Sequence, residues 1–189
     1  MPPKGWHSRG YLPHLDVPGL LQSITFHLED SLPKAVMKEI LAATEPGDPE
    51  RLRCIERWLD AGHGECWLRR PEIGTLVQDA LLHFDGERYR MLAWVLMPNH
   101  VHCLIETSDG HALGDVVQSW KSFTAKQANR LLGRFGTFWE RDYFDRYIRD
   151  DRHLAAVVRY IERNPVKAGL VARAEDWPFG SARLRGLSR

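Results

Sequence analysis

The sequence predicts an α+β fold in which helices interleave with a four-stranded antiparallel sheet. Three observations predict it. Ile24, Phe26 and Leu28 alternate with Thr25 and His27, the period of a half-buried strand. Two apolar runs, 89–97 and 101–105, meet at Pro98-Asn99 as adjacent antiparallel strands with a short connection. Elsewhere, apolar residues three and four apart predict helices. A chain of 189 residues, 43% hydrophobic, is long enough for one domain with a sizeable core.

Residues 1–20, rich in Pro, Gly and His, read as an irregular arm. The first strand, 22–28, ends at Ser31-Leu32-Pro33, where Ser31 reads as the cap of a helix over 35–43. A loop over 44–49 leads to a helix over 49–59 with Leu52, Ile55, Trp58 and Leu59 on one face. Gly62-His63-Gly64 breaks it, and a helix over 71–84 buries Ile73, Val77, Ala80, Leu81 and Phe84. Asp85-Gly86 turns into the strand pair, which runs to Glu106. The longest helix, 113–132, has Leu113, Val116, Val117, Trp120 and Phe123 inward, with Lys121, Lys126, Asn129 and Arg130 left outside. Phe138-Trp139 reads as the start of a short fourth strand, before a charged and aromatic segment over 140–149. A last helix, capped by Asp150 or Asp151, runs to Arg163 and stops at Asn164-Pro165. This order fits a ferredoxin-like sheet with helices on one face and the histidines of the hairpin on the other. Trp177-Pro178-Phe179 reads as a packing clasp for the C-terminal residues.

The net charge of +1 announces no global basic field, although a local one remains open. Three cysteines without a CxxC pattern predict no disulfide framework and a reducing, cytoplasmic compartment. No apolar run approaches the roughly 20 residues of a membrane span. The N-terminal residues lack the apolar stretch of a secretory signal.

On a strand, residues i and i+2 share a face. His100 and His102 therefore point one way, and Val101, Cys103 and Ile105 point into a core. Two imidazoles side by side make half of a divalent-metal site. In the last helix Leu154, Val157, Val158 and Ile161 form the apolar stripe, and Tyr160 and Asn164 stack on its flank, with His153 on the same flank. Packed beside the His100 strand, this helix offers a phenol and an amide oxygen. The matching chemistry is phosphodiester transfer: Mg²⁺ or Mn²⁺ on His100, His102 and Asn164 polarises a phosphate, and Tyr160 attacks it.

Three blocks carry a resemblance to a known family: Met97-Pro98-Asn99-His100-Val101-His102, Phe138-Trp139-Glu140-Arg141-Asp142-Tyr143-Phe144-Asp145-Arg146, and 159–171 with Tyr160 and Asn164-Pro165. Together they resemble the single-tyrosine HUH transposases, most closely the REP-associated tyrosine transposases of bacteria, over roughly residues 10 to 180. The resemblance implies an RRM-like catalytic domain of the HUH endonuclease type and a divalent metal. It also implies cleavage and rejoining of single-stranded DNA beside imperfect hairpins through a 5′-phosphotyrosine. The nucleophile carries over to Tyr160 and the polar metal ligand to Asn164. The segment 44–84 departs from it, being long for a minimal domain of this kind.

The expected organisation is an arm over 1–20, a catalytic domain over 21–172 and a basic tail over 173–189 with Arg183, Arg185 and Arg189. The DNA-facing candidates are Lys121, Lys126 and Arg130, and the cations Arg141, Arg146 and Arg149 interleaved with Trp139, Tyr143 and Tyr147. Tyr143 and Tyr147 are rival nucleophiles. A second reading keeps the fold as a binder of hairpin nucleic acid that does not cut. A third, a metal hydrolase using water, has only Glu106 as a candidate base. The expected setting is bacterial and nucleoid-associated, with no membrane, as a monomer or homodimer.

Overall fold

In the computed structural model, residues 5–8, 13–17, 19–45 and 48–187 are described. The order is β1 (Gly5–Ser8), β2 (Pro13–Asp16), β3 (Leu21–His27), α1 (Lys34–Ala43), α2 (Pro49–Asp60), α3 (Pro71–Leu82), β4 (Tyr89–Leu96), β5 (His100–Thr107), α4 (Leu113–Leu131), β6 (Phe144–Tyr147), α5 (Asp151–Lys167) and α6 (Ser181–Leu187). The main sheet is antiparallel with strand order β4-β5-β3-β6. With its first strand flanked by its third and fourth, this is the ferredoxin-like arrangement expected.

The alternation read from the sequence places the core. Ile24, Phe26 and Leu28 join Val101, Cys103 and Ile105 on one sheet face, against Ile73, Val77 and Leu81 of α3 and Val116, Val117 and Trp120 of α4. Tyr89 and Trp120 bury their polar atoms there without loss: Trp120 Nε1 donates to Tyr89 Oη at 3.0 Å, and that hydroxyl donates to the Leu81 carbonyl at 2.8 Å. The second face is also covered, contrary to a sheet with helices on one face only. Leu104 packs with Ala93, Val95 and Met97 against Ile161 and the stripe Leu154, Val157 and Val158 of α5. A β-bulge between Met91 and Ala93 puts Ala93 and Val95 of β4, and Met97 just after it, on that face. One extra residue reverses the alternation, which no apolar count along 89–97 reveals.

Several boundaries differ from expectation. The arm contains an antiparallel pair, β1 with β2, in place of irregular chain. Ser31 does not cap α1; its hydroxyl donates to the Leu28 carbonyl at 2.7 Å and meets His27. Phe138-Trp139 makes only a single bridge to Leu28, and the fourth strand lies in the charged segment as β6. Helix α5 runs through Asn164-Pro165 to Lys167. So near the helix end, the proline forfeits one intrahelical bond and the helix closes through Ala168 N to Asn164 O. Asp150 is its cap, accepting from His153 N at 2.8 Å.

The C-terminal residues close over β4 as the clasp predicted. Trp177 Nε1 donates to Leu96 O at 2.8 Å, and Leu96 N donates to Phe179 O at 2.9 Å. Part of the expected basic tail is helix α6; Arg183 and Arg185 lie on it, and Arg189 lies outside the described residues. No helix among the described residues is long and apolar enough to cross a membrane. Cys54, Cys66 and Cys103 are free thiols.

Candidate active site

Strand β5 begins at His100, so both histidines stand at the end of the sheet where the Pro98-Asn99 turn reverses the chain. They are 1% exposed. Their Nε2 atoms are 3.0 Å apart, with ring planes nearly perpendicular at 85°. Each Nδ1 is engaged by a neighbour. His100 Nδ1 donates to Asn99 Oδ1 at 2.7 Å, and His102 Nδ1 meets the Thr25 hydroxyl at 2.8 Å across the β3–β5 ladder. Asn99 is itself fixed, since its amide donates to the His63 carbonyl at 2.9 Å. These contacts fix both rings, and their Nε2 atoms face each other.

Burial drives the His100 pKa well below the ordinary histidine value, with His102, His27 and Lys167 adding in the same direction. Burial, then Lys167, lowers His102 to about 3. Both rings are therefore neutral, the form that binds metal.

Helix α5 brings Tyr160 to this pair. Its ring centroid is 5.4 Å from that of His102, at 72°. Burial, then the charge of Glu56, pushes the Tyr160 phenol far above its ordinary pKa. Glu56 and Asn164 lie beside the hydroxyl, yet no hydrogen bond of normal geometry forms there. Asn164 is fully buried, and neither its oxygen nor its nitrogen has a hydrogen-bond partner. A buried amide with both ends unmet is costly, and such a group marks a site made for something else.

Of the rival tyrosines, Tyr143 is buried with its ring 4.4 Å from that of His14, and Tyr147 is partly exposed on β6. Glu106 sits near the far end of β5 in an ion pair with Arg90 at 2.6 Å, so it is no base for the histidines. The His153 ring accepts from Arg149 N at 3.2 Å.

The DNA-facing candidates divide. Arg141, Arg146 and Arg149 are exposed, as are Lys126 and Arg130, although the last two lie on α4, which covers the opposite face of the sheet. Lys121 is buried rather than outside: its ammonium donates to the carbonyls of Arg141 and Asp142 at 2.8 and 3.2 Å, and burial lowers its pKa to about 8. Phe123, expected in the core, is 52% exposed.

Three residues near the site escaped the sequence reading. His27 lies opposite His100 in the ladder. Asp60, at the end of α2, places Oδ1 3.8 Å from His100 Nε2 and Oδ2 2.8 Å from Lys167 Nζ. Glu56, one turn earlier, shares the α2 face that meets Tyr160. Asn99 stood in the Met-Pro-Asn motif and was the one visible signal; α2 carried none, because long-range folding of the 44–84 segment decides where it lies.

A family model described as "Transposase IS200 like" matches residues 73–164, about half the chain, including both histidines, Tyr160 and Asn164. A REP-associated tyrosine transposase of Escherichia coli (strain K12) is 29% identical over 118 residues, covering 60% of this chain and 69% of its own length. A Haemophilus influenzae chain carrying the same name provisionally is 32% identical over 104 residues, covering 49% of this chain and 58% of its own. A solved structure of a REP-associated tyrosine transposase bound to a REP hairpin superposes with a TM-score of 0.60 at 20% identity, over 93% of this chain and 84% of that one, which supports the fold.

Proposed function

We propose that this chain, which belongs to the IS200-like transposase family, cuts and rejoins single-stranded DNA beside a hairpin through a 5′-phosphotyrosine on Tyr160. The observation that carries this reading is the meeting of Tyr160 with the buried His100–His102 pair in one chain. The hairpin substrate is inferred from the names of the relatives and from the exposed arginines of 141–149.

The donor set fits a divalent cation, Mg²⁺ or Mn²⁺. Two neutral imidazoles converge, and the Asn164 amide is buried with its oxygen unmet. Among the described residues no three His, Cys, Asp or Glu side chains form a ready metal cluster, so an amide is the third donor in this reading. When bound, the cation polarises the scissile phosphate and stabilises charge developing on its oxygens. Asn99 and Thr25 hold the imidazoles in place for it. The Tyr160 oxygen forms a bond to phosphorus as the bond to the 3′ oxygen breaks. Its proton passes to Glu56, beside the hydroxyl and itself raised in pKa by burial. The departing 3′ oxygen takes a proton from solvent, and the phosphotyrosine keeps the bond energy for rejoining. Helix α5 is a rigid mount for a nucleophile, which a loop tyrosine lacks.

The test is a covalent adduct between the full chain and a hairpin oligonucleotide in Mn²⁺, seen on a denaturing gel. Tyr160→Phe should form none and still bind the hairpin. An adduct that survives in Tyr160→Phe and disappears in Tyr143→Phe sinks the assignment. Hairpin binding by the wild type with no adduct favours the binder that does not cut.

A further inference from the structure

We propose that the outward face of α5 is a rail for the phosphates of a single DNA strand, with Arg152, Arg159 and Arg163 as its contacts, and that this rail leads the strand past Tyr160. This rests on the DNA-cutting reading above and adds to it a path for the strand, on residues that reading does not use.

The first argument is placement. Arg152, Ala156, Arg159 and Arg163 fall at i, i+4, i+7 and i+11 of α5, so they form one stripe about 16 Å long. All four are exposed. The opposite side of the helix, with Leu154, Val157, Val158 and Ile161, packs on the sheet. At about 100° per residue, the arginines lie roughly 60° to 100° around the axis from Tyr160, on the side away from that apolar stripe. Along the axis, Arg152 stands before the tyrosine and Arg163 after it. A strand laid on the stripe therefore passes beside the phenol.

The second argument is charge without partners. Among the described residues none of the three arginines makes an ion pair or a side-chain hydrogen bond. Exposed arginines elsewhere do. Arg53 and Arg57 of α2 hold Glu50, Arg173 holds Asp176, and Arg185 of α6 holds Glu162. The acids close to α5 in the chain are spent on other groups: Asp142 and Asp145 on His14, Asp150 on the His153 N–H, and Glu162 on Arg185.

The third is that the helix gains nothing from this arrangement by itself. Arg152 stands in the first turn of α5, where the helix dipole disfavours a cation. Arg159 and Arg163 are like charges four residues apart, which destabilise a helix. An ordinary solvated face explains neither, and a polyanion relieves both. Arg146 on β6 carries the positive face toward the tyrosine, since its charge acts on His153 and on Glu56 beside the Tyr160 hydroxyl. Tyr147, next to it and 39% exposed, offers a ring on which a base can stack. An unpaired strand presents base faces to such a ring and a duplex does not.

The experiment measures binding of the full chain to a fluorescent dT20 oligonucleotide and to a 20-base-pair duplex across a salt series. The triple variant Arg152→Gln, Arg159→Gln and Arg163→Gln should bind dT20 roughly tenfold or more weakly at about 0.1 M salt. Its slope of log affinity against log salt should flatten by about 2, at roughly 0.7 per lost phosphate contact on a single strand. The same three positions changed to Lys should keep the wild-type slope. Arg53→Gln, Arg57→Gln and Arg173→Gln together remove the same charge from paired positions and should leave the slope unchanged. A wild-type slope in the α5 triple variant overturns the rail, as does an equal flattening in the control triple variant. A loss confined to the duplex, or no dT20 binding by the wild type, overturns it too. If the α5 triple variant does not fold, Arg163→Gln alone decides: a flattening of about 0.7 supports the rail and an unchanged slope overturns it. A wild type that forms no covalent adduct on a hairpin oligonucleotide, yet loses dT20 affinity in the α5 variant, overturns the cutting and keeps the rail.

Discussion

The Nδ1 atom of His100 donates to Asn99 Oδ1 at 2.7 Å, so the residue before the histidine fixes which of its nitrogens faces the site. Asn99 is fully buried and anchored at both ends: its side-chain amide donates to His63 O, and its carbonyl accepts from Leu28 N at 2.8 Å. Asn99→Ala removes the ring's partner and leaves Nδ1 unmet in a dry place. Mn²⁺ affinity should fall about 10- to 100-fold, the usual effect of losing such a support. Titration calorimetry of Asn99→Ala against Asn99→Asp checks it; the aspartate keeps the acceptor and should lose far less.

The cations of the charged segment separate by burial. Arg146 and Arg149 are exposed and free to meet phosphates, whereas Lys121 spends its protons on two carbonyls. Arg146→Ala with Arg149→Ala should flatten the dependence of log affinity for single-stranded DNA on log salt by about one unit or more. Lys121→Met should leave that slope unchanged and lower stability by about 1–3 kcal/mol, because two buried carbonyls lose their donor. Filter binding across a salt series, with denaturant melts of the same proteins, distinguishes the two.

Local periodicity made the heart of the site legible. A period of two put His100 and His102 on one face, and a period near 3.6 put Tyr160 and Asn164 on one flank; both patterns depend only on neighbours in the chain. What was missed depends on distant parts of it. The apolar side of α2, Ile55 and Leu59, was visible, but the helix could dock anywhere a core was open, so Asp60 and Glu56 had no address. Lys121 reads as surface by its charge, and only the return of 141–142 over α4 reveals that it is enclosed. The strand β6, four residues with two of them charged, lacks an apolar alternation to announce it. Pro165 looks like a stop but sits near enough to the helix end to be carried through.

Gly74 on α3 lies flush against Phe179. A Cβ there would meet the ring at 2.6 Å. Gly74→Ala would ordinarily favour a helix, by about 1 kcal/mol. Here the clash should reverse the sign and cost about 1–3 kcal/mol, as overpacking does. Thermal melts of Gly74→Ala and of Gly74→Ala with Phe179→Leu check it; the double variant should recover part of the loss.

His14 ties β2 to the sheet through two carboxylates, Asp145 Oδ1 at 2.5 Å and Asp142 Oδ1 at 2.9 Å. Burial by itself would lower its pKa, but hydrogen bonds and charge from Asp142 and Asp145 overcome that and raise it from 6.5 to about 9. The folded protein therefore holds this proton more tightly than the unfolded chain does. The resulting stabilisation is full below about pH 6.5 and disappears as pH rises through about 9, on the order of 3 kcal/mol in all. Between those values wild-type stability should fall with pH, and His14→Gln, which has no proton to lose, should show a flatter profile over the same window. Urea unfolding at intervals from pH 6 to pH 10 reads both curves. Parallel profiles would mean that the imidazolium is not what holds β2 in place.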